Sequence, residues 1–140
     1  MDTFHAQIHW KAAPESSKAS FSRDHRIIVP GKLDAGGSSA PSLKGNKDLL
    51  NPEELLVASL ASCQMLTYIY LCFQNNLPIR SYRDEAEGML GRDTNGRTFV
   101  ATIKLLPQVL FGSAESQTMR ATAIRLVREA HDQCFVANSL

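Results

Sequence analysis

The sequence predicts one globular domain of mixed strands and helices, and three observations carry that prediction. Its 140 residues are 44% apolar, enough chain and hydrophobic material to bury a core. The first fifty residues break into short alternating pieces, whereas residues 55–73 run apolar at helical length. A hairpin-like pair of strands and a second amphipathic segment then follow.

Taken in order, His5 to Lys11 alternates with a period of two and puts Ile8 and Trp10 on one face of a strand. Lys18 to Phe21 and Arg26 to Val29 read as two further short strands, the second closed by Pro30-Gly31. From Gly36 to Asn46 the chain is rich in Gly, Ser and Pro and has no apolar period, so a long loop is expected there.

Asn51-Pro52-Glu53-Glu54 then opens a helix. Asn suits the cap, Pro the first helical position, and the two carboxylates sit at the positive end of the helix dipole. The helix is expected to stop around Gln74-Asn75-Asn76, giving about 23 residues and roughly 35 Å. Its apolar residues cover most of the circumference, so it should be buried nearly all round, at a core centre or between subunits. Ser81 to Met89 and Thr98 to Leu106 follow as strands joined across Asn95-Gly96, with Pro107 ending or bending the second. A second helix is expected over Ser116 to Gln133, with Ala123, Val127 and Ala130 on one face and Cys134 a turn further along it. The last six residues have no pattern, and nothing suggests a repeat or a second domain, so 1–140 reads as a single domain.

Composition narrows the function classes. A formal net charge of +1 gives no reason to expect a nucleic-acid partner. No uninterrupted run of roughly 18 apolar residues occurs, so no membrane span is expected. The N-terminus lacks the apolar core of a secretory signal, and the expected compartment is the cytoplasm. Three cysteines are too few, and odd in number, for a secreted disulfide scaffold. In a reducing compartment they either pack as small hydrophobes or do redox chemistry.

Cys63 lies midway along the first helix among Ala58, Ser59, Ala61 and Ser62, small neighbours that leave room beside the sulfur. A packed core cysteine fits the same surroundings. Cys72 is nine positions on, about 900° of rotation and roughly 13 Å of rise away, so the two cannot be bridged within one helix. Any partner of Cys63 is then Cys134 or a cysteine of another chain. A reactive thiol also needs a nearby cation or helix terminus to make it acidic. Arg23 and Arg26 are the candidate cations, and Glu53 or Glu54 could hold one in place, although both pairs also read as ordinary surface charge. Glu53 precedes Cys63 by ten residues, about 15 Å along a straight helix. If both serve one site, the helix breaks, an arginine bridges them, or Glu53 comes from a second subunit.

The segment Asn51-Pro52-Glu53-Glu54-Leu55-Leu56-Val57-Ala58-Ser59-Leu60-Ala61-Ser62-Cys63 resembles the signature helix of the OsmC/Ohr family of hydroperoxide-resistance proteins. His131-Asp132-Gln133-Cys134-Phe135-Val136-Ala137-Asn138-Ser139 resembles that family's second cysteine segment. The resemblance implies an α+β fold built as an intertwined homodimer, with two long central helices wrapped by antiparallel sheets. It implies a thiol-dependent peroxidase that reduces organic hydroperoxides, and hydrogen peroxide less well, without metal, flavin or other cofactor. Carried over by position, Cys63 matches the peroxidatic cysteine, Cys134 the resolving one and Glu53 the acid. Arg23, in Ser22-Arg23-Asp24-His25, matches the arginine, with Arg26 in reserve. The implied reductant is an external dithiol, such as a dihydrolipoamide-bearing protein. Gln64 departs from the family pattern, standing where many relatives carry an aromatic or a histidine, and the Gly36 to Asn46 stretch departs from the Ohr branch. The sequence thus resembles a divergent OsmC-like branch. Its rivals are a non-catalytic dimer of this fold binding a small apolar ligand, a metal site at His131 and Cys134, and a structural dimer with inert cysteines.

Overall fold

The computed structural model of the protein describes residues 1–112 and 115–140. The chain forms two compact units, Met1–Leu55 and Leu56–Leu140.

In the first unit β1 (Gln7–His9), β2 (His25–Val29) and β3 (Leu33–Gly37) make an antiparallel sheet in the order β1-β2-β3. Pro30-Gly31 turns β2 into β3 as expected, with Gly31 at φ +74° and Lys32 N–H donating to the Val29 carbonyl at 2.9 Å. Two expectations are corrected here. Lys18 to Phe21 is not a strand, because Ser17 and Ser20 exchange backbone hydrogen bonds in both directions and so form a closed local turn. The expected loop also begins later than Gly36, because Gly36 and Gly37 are the last two residues of β3, opposite Arg26 and His25. A side chain at Gly37 would come within 2.5 Å of Ile27 and 2.6 Å of His25, which is why the strand ends on glycine. The remaining loop holds a short 3-10 turn (Pro41–Leu43) and is tied by the fully buried Ser38. Its hydroxyl donates to Asp24 at 2.9 Å and accepts the Asn46 N–H at 3.0 Å.

Helix α1 (Pro52–Gln74) has the expected boundaries and runs unbroken for 23 residues. Its start is a capping box: Asn51 Oδ1 accepts the Glu54 N–H at 2.9 Å, and Glu54 Oε2 accepts the Asn51 N–H at 3.3 Å.

The second unit contains most of α1, then β4 (Ile79–Asp84), β5 (Glu87–Arg92), β6 (Thr98–Lys104), β7 (Pro107–Phe111), α2 (Gln117–Gln133) and α3 (Phe135–Asn138). The expected strand Ser81 to Met89 is in fact two, because β4 pairs with β7 whereas β5 pairs with β6. Asp84 closes β4, and its carboxylate accepts the Leu106 N–H at 2.8 Å. Pro107 therefore opens β7 rather than merely ending β6, a position where its missing N–H is tolerated. The β5–β6 hairpin turns at Asn95-Gly96 as expected, with Gly96 at φ +78° and the Asp93 carboxylate accepting the N–H groups of Asn95 and Arg97. Ser116 caps α2 by accepting the Met119 N–H.

Tyr68, Leu71 and Cys72 of α1 pack with Leu77 and with Leu126 and Ala130 of α2, against Ile79, Val109 and Phe111 of the β4–β7 sheet. Burying Leu126 contributes about 1.5–3 kcal/mol. The buried face of α1 is Leu60, Gln64, Tyr68, Leu71 and Cys72. The helix is not covered all round in the single chain: Leu66, Tyr70 and Phe73 are 62%, 60% and 59% exposed. By length and composition α1 could cross a membrane, so the lack of an uninterrupted apolar run does not by itself exclude a span. On its buried face α1 packs on α2, where the side chains of Gln64 and Tyr68 donate to carbonyls at 3.1 and 2.9 Å.

Candidate active site

Cys63 projects from the middle of α1, half-buried, and Thr67 lies one turn further along the same side, its hydroxyl donating to the Cys63 carbonyl at 2.9 Å. Cys134 is fully buried at the junction of two helices, ending α2 and capping α3. Its backbone leaves the helical region there (φ −73°, ψ 115°), and its sulfur accepts the Ala137 N–H at 3.4 Å. The two thiols are free and within hydrogen-bonding reach of one another. The backbone N–H groups of Phe135 and Val136 also donate to Cys63. Both sulfurs thus take up amides that the first turn of α3 leaves without intrahelical partners.

This arrangement divides the pair electrostatically. Burial pushes the Cys63 thiol up, but hydrogen bonds from the Cys134 thiol, the Val136 and Phe135 amides and Thr67 outweigh it, and its pKa falls below the ordinary value. Cys134 moves the other way, raised by burial and by its hydrogen bond and repulsion with Cys63 against the amides of Ala137 and Val136. Cys63 is therefore the first of the two to ionise. Within this unit the Cys134 thiol lowers its pKa most, followed by the amides at the start of α3.

The remaining candidates lie in the first unit. Arg23 is half-buried, donates to the Phe21 carbonyl at 2.6 Å and stacks over the Phe21 ring at 3.8 Å. Among the described residues it forms no ion pair, and the structure does not bring it to Glu53. Arg26, the reserve, is exposed and held by Asp34 at 2.6 Å. Glu54 is occupied by the capping box, whereas Glu53 Oε2 is buried with no hydrogen-bond partner among the described residues. Because α1 is unbroken, the possibility that a kink carries Glu53 toward Cys63 falls away.

Cys72 sits in the core, fully buried beside Tyr68, and burial pushes its thiol up. It is a packing residue. Among the described residues no group of three or more His, Cys, Asp or Glu side chains is placed to hold a metal, and His131 is exposed. Sequence reasoning missed Thr67 and the amides of Phe135, Val136 and Ala137. Thr67 could have been found from its i+4 spacing to Cys63. The amides carry no side-chain signature, and they follow only from Cys134 acting as a helix cap.

The family model described as OsmC-like protein matches residues 45–140. No curated protein matches the chain. Among solved structures, an OsmC-like protein of unknown function from Vibrio cholerae is 29% identical, with a TM-score of 0.90 over 100% of this chain and 94% of that one. An organic hydroperoxide resistance protein OsmC from Legionella pneumophila, described as a predicted redox protein, is 17% identical. Its TM-score is 0.69 over 99% and 89% of the two chains. The organic hydroperoxide resistance protein OhrB of Bacillus subtilis is 22% identical, with a TM-score of 0.62 over 97% and 90%. The α+β architecture with antiparallel sheets is thus that of the OsmC-like proteins. With the family model covering well over half its length, the chain belongs to the OsmC-like protein family.

Proposed function

We propose that this protein is a thiol-dependent peroxidase that reduces organic hydroperoxides, with Cys63 as the attacking sulfur and Cys134 as the resolving one. The observation that carries the proposal is the hydrogen-bonded Cys63–Cys134 pair, in which Cys63 is made acidic and Cys134 is not. The Legionella and Bacillus neighbours, both named as organic hydroperoxide resistance proteins, support the same substrate class.

In the proposed cycle the Cys63 thiolate attacks the distal oxygen of R–O–O–H. The O–O bond breaks, sulfur is oxidised to the sulfenic acid, and the alkoxide leaves as R–OH after taking up a proton. The Cys134 thiol then displaces water from the sulfenic acid, forming the Cys63–Cys134 disulfide. An external dithiol, such as a dihydrolipoamide-bearing protein, returns both thiols and leaves as its own disulfide. No step requires a metal or flavin. Reduction by such a dithiol needs a reducing compartment, so the reading includes a cytoplasmic location.

The working unit in this proposal is a homodimer. The exposed Leu66, Tyr70 and Phe73 stripe on α1 supports it, and a subunit partner could also supply a cation for the unpaired Glu53 oxygen. Arg23 is the candidate for that cation, with Glu53 as the residue that positions it.

The test is to treat the reduced protein with one equivalent of cumene hydroperoxide and map its disulfides by mass spectrometry. A Cys63–Cys134 link, absent in Cys63→Ser together with peroxide consumption, is the expected result. Free thiols after treatment would overturn the proposal.

A further inference from the structure

The exposed apolar residues of the second unit are not all accounted for by the stripe on α1. Ile124 and Val127 of α2 and Leu110 of β7 are 67%, 45% and 60% exposed. All three line one trough of about 760 Å³ between β7 and α2, with Pro107, Val109 and Phe111 along its β7 side. Ile124 and Val127 also line a second depression of about 770 Å³, which carries the trough on past Leu105 to the C-terminal half of α2. Leu66, Tyr70 and Phe73 line neither part, so this surface is separate from the α1 stripe. Contiguous exposed apolar surface of this extent marks a place where something binds.

The trough is polarised along its length. At the β7 end its charges cancel, because Arg120 holds Glu115 at 2.6 Å. At the other end Arg125, Arg128 and His131 line it, and no acidic side chain does. Arg125 is shared with Glu129 at 3.1 Å, whereas Arg128 forms no ion pair among the described residues. One guanidinium is therefore left over at the end of an apolar channel. From Met119 to Arg128 the trough follows α2 for about 13 Å, roughly the length of an extended ten-carbon chain.

We propose that this trough binds an unbranched amphipathic carboxylate of about ten carbons, its carboxylate on Arg128 and its chain laid over Val127, Ile124 and Leu110. Three features select that chemistry. The group left unpaired is a cation, so the head of the ligand is an anion. A planar carboxylate meets a guanidinium through two parallel hydrogen bonds and matches it charge for charge, whereas a phosphate dianion would leave one charge over. The walls are apolar and extend in one direction, so the tail is hydrocarbon and extended. Such a ligand is neither a peroxide nor an alcohol, and it is therefore neither substrate nor product of the proposed reaction. The site does not rest on the peroxidase reading, because it uses neither cysteine and no redox step.

Three probes test this on the full chain. Sodium decanoate, kept below its micelle concentration, carries both features. Decyltrimethylammonium has the same chain under the opposite charge, and propanoate has the headgroup without the chain. Binding is followed by calorimetry and by NMR titration of the backbone amides. The expected result is saturable binding of decanoate at one site per chain, with shifts at Leu110, Ile124 and Val127, at least about tenfold tighter than either other probe. Arg128→Gln should weaken decanoate binding several-fold, and Ile124→Asp, which sets an acid in the apolar stretch, should abolish it. No saturable binding of decanoate, equal affinity for either other probe, or full affinity in Arg128→Gln would each overturn the assignment. Shifts confined to Leu66, Tyr70 and Phe73 would place the chain on α1 and overturn it as well. So would adsorption to phosphatidylglycerol vesicles without binding of free decanoate, which would make the trough a lipid contact. The comparison of probes on the unmodified protein remains decisive if either variant misfolds. Peroxide consumption is measured separately, so failure of one reading is distinguishable from failure of the other.

Discussion

Cys63 and Cys134 are 71 positions apart in sequence and hydrogen-bonded in the fold, and the first turn of α3 donates amides to both sulfurs. The pair is ordered by its surroundings: one thiol is acidified while the other is held neutral. That asymmetry is what a two-thiol cycle requires, since the attacking sulfur must be a thiolate before its partner is.

The first prediction follows from that order. Cys63 should alkylate with iodoacetamide at a lower pH than an ordinary cysteine, and before Cys134, because its folded pKa is lowered. Cys134→Ala removes one of the hydrogen bonds that lower it, so the Cys63 midpoint should move upward. Mass-resolved alkylation across a pH series measures both. A Cys63 midpoint at or above that of Cys134 would contradict the asymmetry.

Cys72 should behave as a core residue and nothing more. It is fully buried beside Tyr68, with its thiol pushed up by burial. Cys72→Ala should cost on the order of 1 kcal/mol in a denaturant titration, through the small cavity it leaves. Peroxide consumption per folded molecule should be unchanged. Loss of consumption in a well-folded variant would give Cys72 a part in the chemistry.

The α1 stripe predicts the oligomeric state. Leu66, Tyr70 and Phe73 recur at helical spacing and are each about three-fifths exposed in the single chain. Phe73→Asp should weaken self-association at least about tenfold, read by analytical ultracentrifugation over a concentration series. A wild-type chain that is monomeric at every concentration would remove the dimer from the proposed mechanism.

Alkaline pH should destabilise the second unit through its tyrosines. Burial, helped by Asp84, pushes Tyr82 from its ordinary 10.0 to about 12. A raised folded pKa means the neutral form is favoured by folding. Its contribution is therefore present in full below about pH 10 and is lost as the pH rises toward 12. Tyr82→Phe should flatten that part of the stability profile, with the remaining slope including Tyr68, which burial also raises. An unchanged profile would mean that Tyr82 does not titrate as its burial implies.

Much of the fold is legible locally. Asn51 to Glu54 announces α1 because capping, Pro at the first helical position and acidic residues near the dipole act over a single turn. Pro30-Gly31 and Asn95-Gly96 announce their turns because the glycines supply positive φ. The strands were less legible. Ser81 to Met89 reads as one run, and what divides it at Asp84 is the choice of partners, β7 for one half and β6 for the other. Strand pairing joins residues distant in the chain, so composition does not encode it locally.

The sequence alone singled out Cys63 and Cys134 by motif, determined the helix that carries Cys63, and excluded Cys72 as its partner within that helix. Tertiary structure decided which thiol is acidic. Acidity is a sum of burial and hydrogen bonds at one sulfur, and the groups that tip it toward Cys63 are the Cys134 thiol and backbone amides of α3, brought to α1 only by folding. Tertiary structure also left Gln64 Oε1 buried with no hydrogen-bond partner among the described residues, since the Val127 carbonyl takes up its Nε2.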